Sequence, residues 1–398
     1  MPSESSKPIP HVEELLVPVS PERGYADYLA KLAEFLPHSI SQFGLVLTTA
    51  AELRQTPGKQ IRSKDPNQSE ETASLTGLLC PRPPPHYLSI EMPITTAAEA
   101  GSVKTLIDVT ISGHAVTFFP RCEEDLMKAA IDEAAKIEQL DASKAADSAT
   151  ETNAACYLKK ATADPVIVAH NQNVRILLSS IVEYLGELRA GGGRENSQHE
   201  MFYCVNDVWM PALRSLGNLT KGTRAVKFVM TEKKLLENEA AVVQDCERIE
   251  REEGLVLGPM EERDIQQMIN VNAVPYSEHY GRHIIKTSQC FRSKSGEMVA
   301  WAGSHEDFSV AALHVLPAYR KMGLGRLVLM RLALAHMRLA RSILDTLGAD
   351  AKSISSETLM AHADCIDDNH PTMVFMERCG WTRVGIHNWI GLLTSSAN

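Results

Sequence analysis

A short loop between a strand pattern and a helix pattern constrains this sequence more than any other feature. The apolar run Ser309–Val315 predicts a strand, and Leu327–Ala340 has the apolar spacing of a long helix. The loop between them carries Arg320, Gly323 and Gly325 in an Arg-x-x-Gly-x-Gly arrangement. Glycine lets a ligand approach the backbone closely, and the first turn of a helix offers unpaired N–H groups. The segment therefore predicts a phosphate site, with a ligand-free tight turn as the alternative.

The distribution of charge favours the phosphate interpretation. The 398 residues hold 40 Lys and Arg against 50 Asp and Glu, a formal net charge of −10. Between residues 318 and 344 the balance reverses, because this stretch has no acidic residue and its basic residues are Arg320, Lys321, Arg326, Arg331, Arg338 and Arg341. An acidic chain disfavours nucleic acid as a partner, whereas a local basic stretch favours a small polyanion. The loop has neither the Gly-Lys-Ser/Thr of a P-loop nor the Gly-x-Gly-x-x-Gly of a dinucleotide site.

Alternating strand and helix patterns predict an α/β protein with a mixed central sheet flanked by helices. Over residues 255–392 the predicted order is βααββαβα, with a further strand over 383–392. Upstream, 165–169 predicts a buried strand and 172–188 a helix. The charged stretch 231–253 predicts an amphipathic connecting helix in solvent. We place the domain boundary near residue 250. The remaining predictions are a helix over 22–36, an acidic helix over 123–139, strands over 39–48, 87–91, 115–119 and 201–205, a loop over 54–85 and a polar insertion over 141–155.

Several features exclude other classes of protein. The eight cysteines form no Cys-x-x-Cys pair, which predicts reduced thiols rather than a disulfide framework. The acidic and histidine residues over 362–370 fit no zinc spacing, so we expect no metal. The sequence has no run of about 18 apolar residues, so no membrane span is predicted. The first 20 residues hold one Lys, no Arg and three Glu, unlike a secretory signal or an Arg-rich transit peptide, and a cytoplasmic location is expected.

The loop and the segment after it resemble a known superfamily. Val315–Gly325 (VLPAYRKMGLG) closely resembles the acyl-coenzyme A loop of GNAT N-acetyltransferases. Residues 369–372 (NHPT) and 376–381 (MERCGW) resemble the next motif of that superfamily, an Asn before a helix that ends in Gly plus an aromatic residue. Together these motifs cover about residues 255–392.

A longer resemblance is to the glycine N-acyltransferases. It rests on Leu36–Ile40 followed by Phe43-Gly44, on Leu313–Arg320, and on the closing Asn388-Trp389. Those enzymes carry two GNAT-like halves, so the resemblance implies tandem GNAT-like domains. Residues 1–250 would be a degenerate half with loop insertions, and residues 251–398 the catalytic half. The family also makes a mitochondrial location the alternative to a cytoplasmic one.

The resemblance implies that acetyl-coenzyme A or a longer acyl-coenzyme A is the co-substrate. Backbone groups of Val315 would contact the pantetheine arm, the loop N–H groups would hold the pyrophosphate, and Asn369 would reach the coenzyme from the other side of an opening in the sheet. The coenzyme-binding residues are thus predicted to be Val315, Arg320, Lys321, Met322, Gly323, Leu324, Gly325, Arg326 and Asn369. The acceptor would be a small-molecule amine, either glycine or another. The alternatives are an acetyltransferase for a different small-molecule or protein amine and a coenzyme-binding module without catalysis.

The acid–base residues of the family are missing from this sequence. Glycine N-acyltransferases place a Glu where this chain has Ser309, and many acetyltransferases place a Tyr where it has Met376. Asp307 and His314 are the predicted catalytic residues, because both stand at or in the strand before the loop and histidine titrates near neutral pH. The alternatives are that Asp307 only shapes a turn and that His314 only packs. Glu306 and His305, next to Asp307, are further acid–base candidates. Tyr276, His279 and Tyr280 are candidates for the acceptor side, with ordinary surface or core packing as the alternative.

Overall fold

The computed structural model describes Leu29, Ala30, Leu32, Ala33 and Leu36, and then residues 86–93, 104–112, 115–120, 165–190, 199–220, 222–272, 274–347 and 354–393. The predictions over 39–48, 54–85, 123–139 and 141–155 lie outside these ranges, as does most of 22–36.

The described elements follow one another as strands and helices of very different lengths. In chain order they are β1 (His86–Pro93), β2 (Lys104–Ser112), β3 (Ala115–Pro120), α1 (Pro165–Ala190), β4 (His199–Asn206), α2 (Met210–Arg214), β5 (Thr223–Thr231), α3 (Glu232–Glu253), β6 (Val256–Gly258), α4 (Ile265–Val271), α5 (Glu278–Ile284), β7 (Gln289–Arg292), β8 (Met298–Ser304), β9 (Ser309–Val315), α6 (Leu324–Leu347), β10 (Met360–Ile366), α7 (His370–Arg378) and β11 (Thr382–Leu393).

These residues form two compact units. The first contains the described residues between Pro85 and Arg224 together with the end of β11 from Ile386, and the second contains those between Ala225 and Gly385. The first unit therefore takes its last strand segment from the far end of the chain. The expected division into residues 1–250 and 251–398 stays a prediction.

In the first unit the sheet order is β1, β2, β3, β4 and the end of β11, and only the β3–β4 pair is parallel. Helix α1 buries residues at helical spacing, among them Val174, Leu178, Ile181 and Leu185. They pack in one cluster with the fully buried Phe202. The strand predicted over 165–169 is wrong, because these residues form the first turns of α1. The β-branched residues within 165–169 favour a strand locally, but the apolar face of the rest of α1 stabilises a helix.

The second unit has a six-stranded sheet in the order β5, β10, β9, β8, β7 and β6. The β10–β9 pair is parallel and the other pairs are antiparallel. The predicted mixed α/β class is therefore confirmed. The predicted order βααββαβα lacks one strand, because Gln289–Arg292 forms β7 where the sequence predicted the end of a helix. A strand of four residues gives too short a pattern to be recognised.

Helix α3 is not the solvated connector that its charge suggests. It packs along α6, and its buried residues Leu235, Val242 and Ile249 lie at helical spacing. Thr231 caps its first turn by accepting a hydrogen bond from the Lys234 N–H, and Gly254 ends it in the left-handed conformation. The helix is thus part of the layer that supports the loop after β9.

Among the helices that the structure describes, none combines the length and the apolar character that a bilayer span requires. The cysteines in the described ranges are free thiols, namely Cys204, Cys246, Cys290, Cys365 and Cys379.

Candidate active site

The loop after β9 presents its backbone to solvent at the start of α6. A short 3-10 turn over Pro317–Tyr319 leads into Lys321 and Gly323, whose φ angles are 66° and 83°. Within this described loop, no backbone N–H of residues 321–326 donates to a backbone carbonyl. A Cβ atom built on Gly323 would have no atom within 4 Å. Successive unpaired N–H groups at a helix start are suited to bind an anion, and the phosphate site expected at this loop stays a prediction.

Strands β9 and β10 pair over only part of their length and then separate. β9 and β10 are each seven residues long, yet they pair only at Ser309 with His362 and at Val310 with Ala363. Beyond these pairs the strands leave an opening at their carboxyl ends, towards the loop. β9 also contains a bulge opposite β8, where Ala312 has a φ angle of 52°. The bulge interrupts the ladder with β8, whereas the residues of β9 after Val310 have no ladder partner on β10, so the backbone of β9 borders the opening.

Val315 is the last residue of β9, and Asn369 follows the end of β10. The Val315 carbonyl oxygen accepts a hydrogen bond of 3.2 Å from Nε of Arg320, so this carbonyl is already bonded to the loop. Asn369 caps α7 after β10, where its side chain accepts a hydrogen bond from the Thr372 N–H. Gly325 completes the packing, because a Cβ atom there would lie 3.2 Å from the Val315 side chain. The coenzyme-binding roles expected of Val315 and Asn369 stay predictions.

The basic stretch divides into two groups. Arg326 pairs with Asp245 at 3.2 Å, Arg341 donates from Nε to Glu232 at 2.9 Å, and Arg338 pairs with Glu239. These three acidic residues lie on α3, so the charges of three of the six basic residues are neutralised by ion pairs with that helix. The positive charge inferred from the sequence is therefore reduced, and Arg320 and Lys321 are the exposed cations on the loop itself.

The predicted catalytic residue Asp307 lies in the turn between β8 and β9. Its Oδ1 accepts hydrogen bonds from the Ser309 N–H at 3.0 Å and the Ser309 hydroxyl at 2.5 Å. Burial would raise the pKa of Asp307, but the positive charges of His362, Lys227 and His305 and the Ser309 hydrogen bond lower it well below its usual 3.8. A carboxylate with such a low pKa is a weak proton acceptor near neutral pH. It supplies a fixed negative charge.

The second predicted catalytic residue, His314, stacks on a tryptophan. Its ring lies 4.8 Å from that of Trp301, with 29° between the planes, and the two residues are cross-strand partners. Burial lowers the pKa of His314 below 6.5, and the positive charge of Arg320 lowers it further. The ring is therefore neutral at pH 7. Its catalytic role, like that of Asp307, stays a prediction.

The positions of the missing family residues contain no replacement acid or base. Ser309 is buried and bonded to Asp307, and Met376 is buried in α7. The polar groups of the site lie instead on strands and helices whose contacts could not be inferred from the sequence.

A buried polar cluster stands at the base of the opening. Lys227 on β5 faces Asp364 on β10, with 3.0 Å between Nζ and Oδ1 and exposed side-chain fractions of 1% and 3%. His362, two residues before Asp364, directs Nε2 to the Asp307 carbonyl oxygen at 2.7 Å. Sequence reasoning missed Lys227, because the strand that carries it was not predicted. It treated His362 and Asp364 only as components of an unconvincing metal motif.

A second group of polar residues lies on the α5 side of β8. Nδ1 of His305 lies 2.7 Å from the Tyr280 hydroxyl, and its Nε2 lies 3.5 Å from the Tyr276 hydroxyl. His279, which the sequence placed with these tyrosines, is exposed on α5. The structure therefore brings Tyr276, Tyr280 and His305 together, whereas His279 is exposed on α5 and Glu306 lies in the turn between β8 and β9.

Comparisons with known proteins find distant structural likenesses. No family model matches the sequence, and no curated protein matches it. A solved Drosophila protein is 13% identical, with 96% of this chain and 99% of that chain covered and a TM-score of 0.49. A GCN5-related N-acetyltransferase from Sphaerobacter thermophilus is 9% identical, with 87% and 90% covered and a TM-score of 0.36. A tandem GNAT protein from the clavulanic acid biosynthesis pathway is 8% identical, with 89% and 95% covered and a TM-score of 0.33. At these identities and TM-scores the likenesses assign neither a family nor an activity to this chain.

Proposed function

We propose that this chain transfers an acyl group from an acyl-coenzyme A thioester to the amine of a small molecule. The observation that carries the proposal is the run of unpaired N–H groups over residues 321–326, placed beside the opening between β9 and β10. A pyrophosphate fits such a loop, and the thioester arm fits the opening. Acetyl- and longer acyl-coenzyme A are the proposed donors, and glycine is one candidate acceptor. A cytoplasmic location is part of the proposal.

The chemistry follows from groups that line the opening. Loop N–H groups bind the phosphates, with Arg320 and Lys321 adding positive charge. Backbone N–H groups of β9 after Val310, where the strand has no ladder partner on β10, would stabilise the oxyanion that forms as an amine attacks the thioester carbon. The amine must be neutral to attack, so a proton acceptor is needed on the acceptor side. Asp307 and His314 are the acceptors proposed from the sequence.

A coenzyme-binding module without catalysis is the second candidate. It is favoured by Ser309 and Met376, which occupy the positions of the family's Glu and Tyr and are both buried.

A turnover assay separates the two candidates. Release of the coenzyme A thiol is followed with acetyl-, octanoyl- and benzoyl-coenzyme A, each with glycine, methylamine, 2-phenylethylamine and a lysine-containing peptide. We expect thiol release that depends on an amine and yields the N-acyl product by mass spectrometry. A chain that binds these donors but releases no thiol with any of the amines is a binding module, and that outcome would contradict the proposed transfer.

A further inference from the structure

The carbonyl oxygen of Val315 faces the opening between β9 and β10. The Leu316 N–H donates to the Val299 carbonyl at 2.9 Å, so residue 316 directs its backbone groups to β8. Val315 pairs with Ala300 in the same register. Hydrogen-bonded and non-hydrogen-bonded pairs alternate along an antiparallel ladder, so the N–H and C=O of Val315 point away from β8. On that side Val315 has no ladder partner, because the pairing of β9 with β10 ends at Val310.

The guanidinium of Arg320 occupies this carbonyl. Its Nε donates to the Val315 oxygen at 3.2 Å, and the side chain is exposed. Its positive charge lies close enough to His314 to lower the pKa of that ring. Within the part of the chain that the structure describes, Arg320 forms no ion pair. The guanidinium therefore lies at the opening and is held there by a neutral acceptor.

A pyrophosphate at the loop would be a stronger acceptor for this guanidinium than the carbonyl is. Arg320 comes directly before the run of unpaired N–H groups over residues 321–326, where the pyrophosphate is proposed to bind. Hydrogen bonds between a guanidinium and a phosphate are charge-assisted and roughly twice as strong as bonds to a neutral acceptor. The bond to Val315 is exposed, so water readily replaces it. We expect Arg320 to leave Val315 when a pyrophosphate binds.

The thioester arm of the donor needs the acceptor that Arg320 occupies. The pantetheine arm contains amide N–H groups, which lose their water when the arm enters the opening. A buried donor without an acceptor costs free energy. The Val315 carbonyl is an acceptor that faces the opening, but in the free chain the arm must compete for it with the guanidinium.

We infer that Arg320 makes the site selective for thioesters that carry a pyrophosphate, because its guanidinium blocks the Val315 carbonyl until a pyrophosphate binds at the loop. The inference rests on the proposed acyl transfer and adds an order of binding at the same site. The phosphate end of the donor binds first, Arg320 turns to it, and an amide of the arm then donates to Val315. The two ends of the donor are thus coupled through one side chain.

The test divides the donor into two ligands. ADP carries the pyrophosphate, and the S-acetyl thioester of N-acetyl-β-alanylcysteamine (the arm fragment) carries the thioester and the amides without a phosphate. Each is titrated into the full chain, and methyl NMR signals give its Kd. For the wild-type chain we expect saturating ADP to tighten the binding of the arm fragment about fivefold, the contribution of one hydrogen bond. The arm fragment should tighten the binding of ADP by the same factor.

Replacing Arg320 by methionine should change the two affinities in opposite directions. ADP should bind Arg320→Met about tenfold more weakly, because the phosphates lose a charge-assisted bond. The arm fragment alone should bind about fivefold more tightly, because the Val315 carbonyl is no longer occupied, and ADP should not improve its binding further. If Arg320 only shaped the turn over Pro317–Tyr319, its replacement would weaken the binding of both ligands.

The matched control is Lys321→Met. Lys321 is the neighbouring exposed cation, and its side chain has no hydrogen bond or ion pair in the described ranges. Its loss should weaken ADP but leave both the Kd of the arm fragment and its coupling to ADP unchanged. The inference is overturned if Arg320→Met binds the arm fragment no more tightly than the wild-type chain does, including the case in which neither binds it.

Titration with acetyl-coenzyme A distinguishes this failure from a failure of the proposed function. If the wild-type chain binds no acetyl-coenzyme A, the proposed function fails, and the inference fails with it. If acetyl-coenzyme A binds but Arg320→Met does not strengthen the binding of the arm fragment, the inference alone fails.

Discussion

Replacing Gly323 by aspartate is expected to weaken the binding of acetyl-coenzyme A by about a hundredfold or more. The φ angle of this residue is 83°, and the space next to its Cα is open, so a carboxylate there would stand where the phosphates are proposed to bind. Two unit charges 4 Å apart at an effective dielectric constant of about 20 repel by about 4 kcal/mol, before screening by salt. Isothermal titration of the variant with acetyl-coenzyme A measures the loss.

The control for this variant is Gly323→Asn. Asparagine has nearly the shape of aspartate and tolerates a positive φ angle, but it is neutral. We expect the asparagine variant to retain most of the affinity, so the difference between the two variants isolates the effect of charge. Equal affinity of the aspartate variant and the wild-type chain would show that the phosphates do not lie at this loop.

Replacing Lys227 by methionine is expected to lower the free energy of unfolding by about 3–5 kcal/mol. Lys227 is 1% exposed and neutralises Asp364, which has the Asp307 carboxylate within 4.8 Å. Without the lysine, Asp364 loses its ion-pair partner in a buried site that also holds the carboxylate of Asp307. Urea unfolding followed by circular dichroism measures the change.

Two variants make this prediction specific. Lys233→Met removes a lysine of the same unit whose ion pair with Glu357 is exposed, with exposed fractions of 51% and 65%, and should leave the urea midpoint unchanged. The double variant Lys227→Met with Asp364→Leu removes both partners and should recover most of the lost stability. If Lys227→Met is no less stable than Lys233→Met, the buried pair does not have the structural role assigned to it here.

The loop after β9 was predictable because its signals are local. A strand pattern, a proline, two glycines and a helix pattern follow one another within about 30 residues, and each has a direct conformational meaning. The boundaries Ser309–Val315 of β9 agree with the structure. The position of Asn369 as the residue before α7 also follows from local pattern, since a proline stands at the first turn of that helix.

The polar cluster was not predictable, because its contacts join distant parts of the chain. Lys227 and Asp364 are 137 residues apart, and only the pairing register of β5 with β10 brings them together. A lysine in a strand is normally interpreted as a surface residue. The contact between Tyr280 and His305 likewise depends on how α5 packs against β8, and periodicity within each segment does not fix that packing.

Counting charges along the sequence overestimated the positive charge at the phosphate site for the same reason. Arg326 and Arg341 are separated from their partners Asp245 and Glu232 by 81 and 109 residues. The sequence treated the arginines of α6 as a free basic surface and the acids of α3 as a solvated face. The structure pairs them, so the phosphate interpretation depends on the backbone of the loop more than on the arginines.

The most direct test of the central claim is the titration of the wild-type chain with acetyl-coenzyme A, with desulfo-coenzyme A and ATP as competitors. The account predicts one equivalent bound per chain, with a Kd between about 1 μM and 1 mM, and competition by desulfo-coenzyme A, which retains the pantetheine arm and the pyrophosphate. The absence of binding at millimolar acetyl-coenzyme A would contradict the account, because the unpaired N–H groups of residues 321–326 would then not bind the pyrophosphate of the coenzyme.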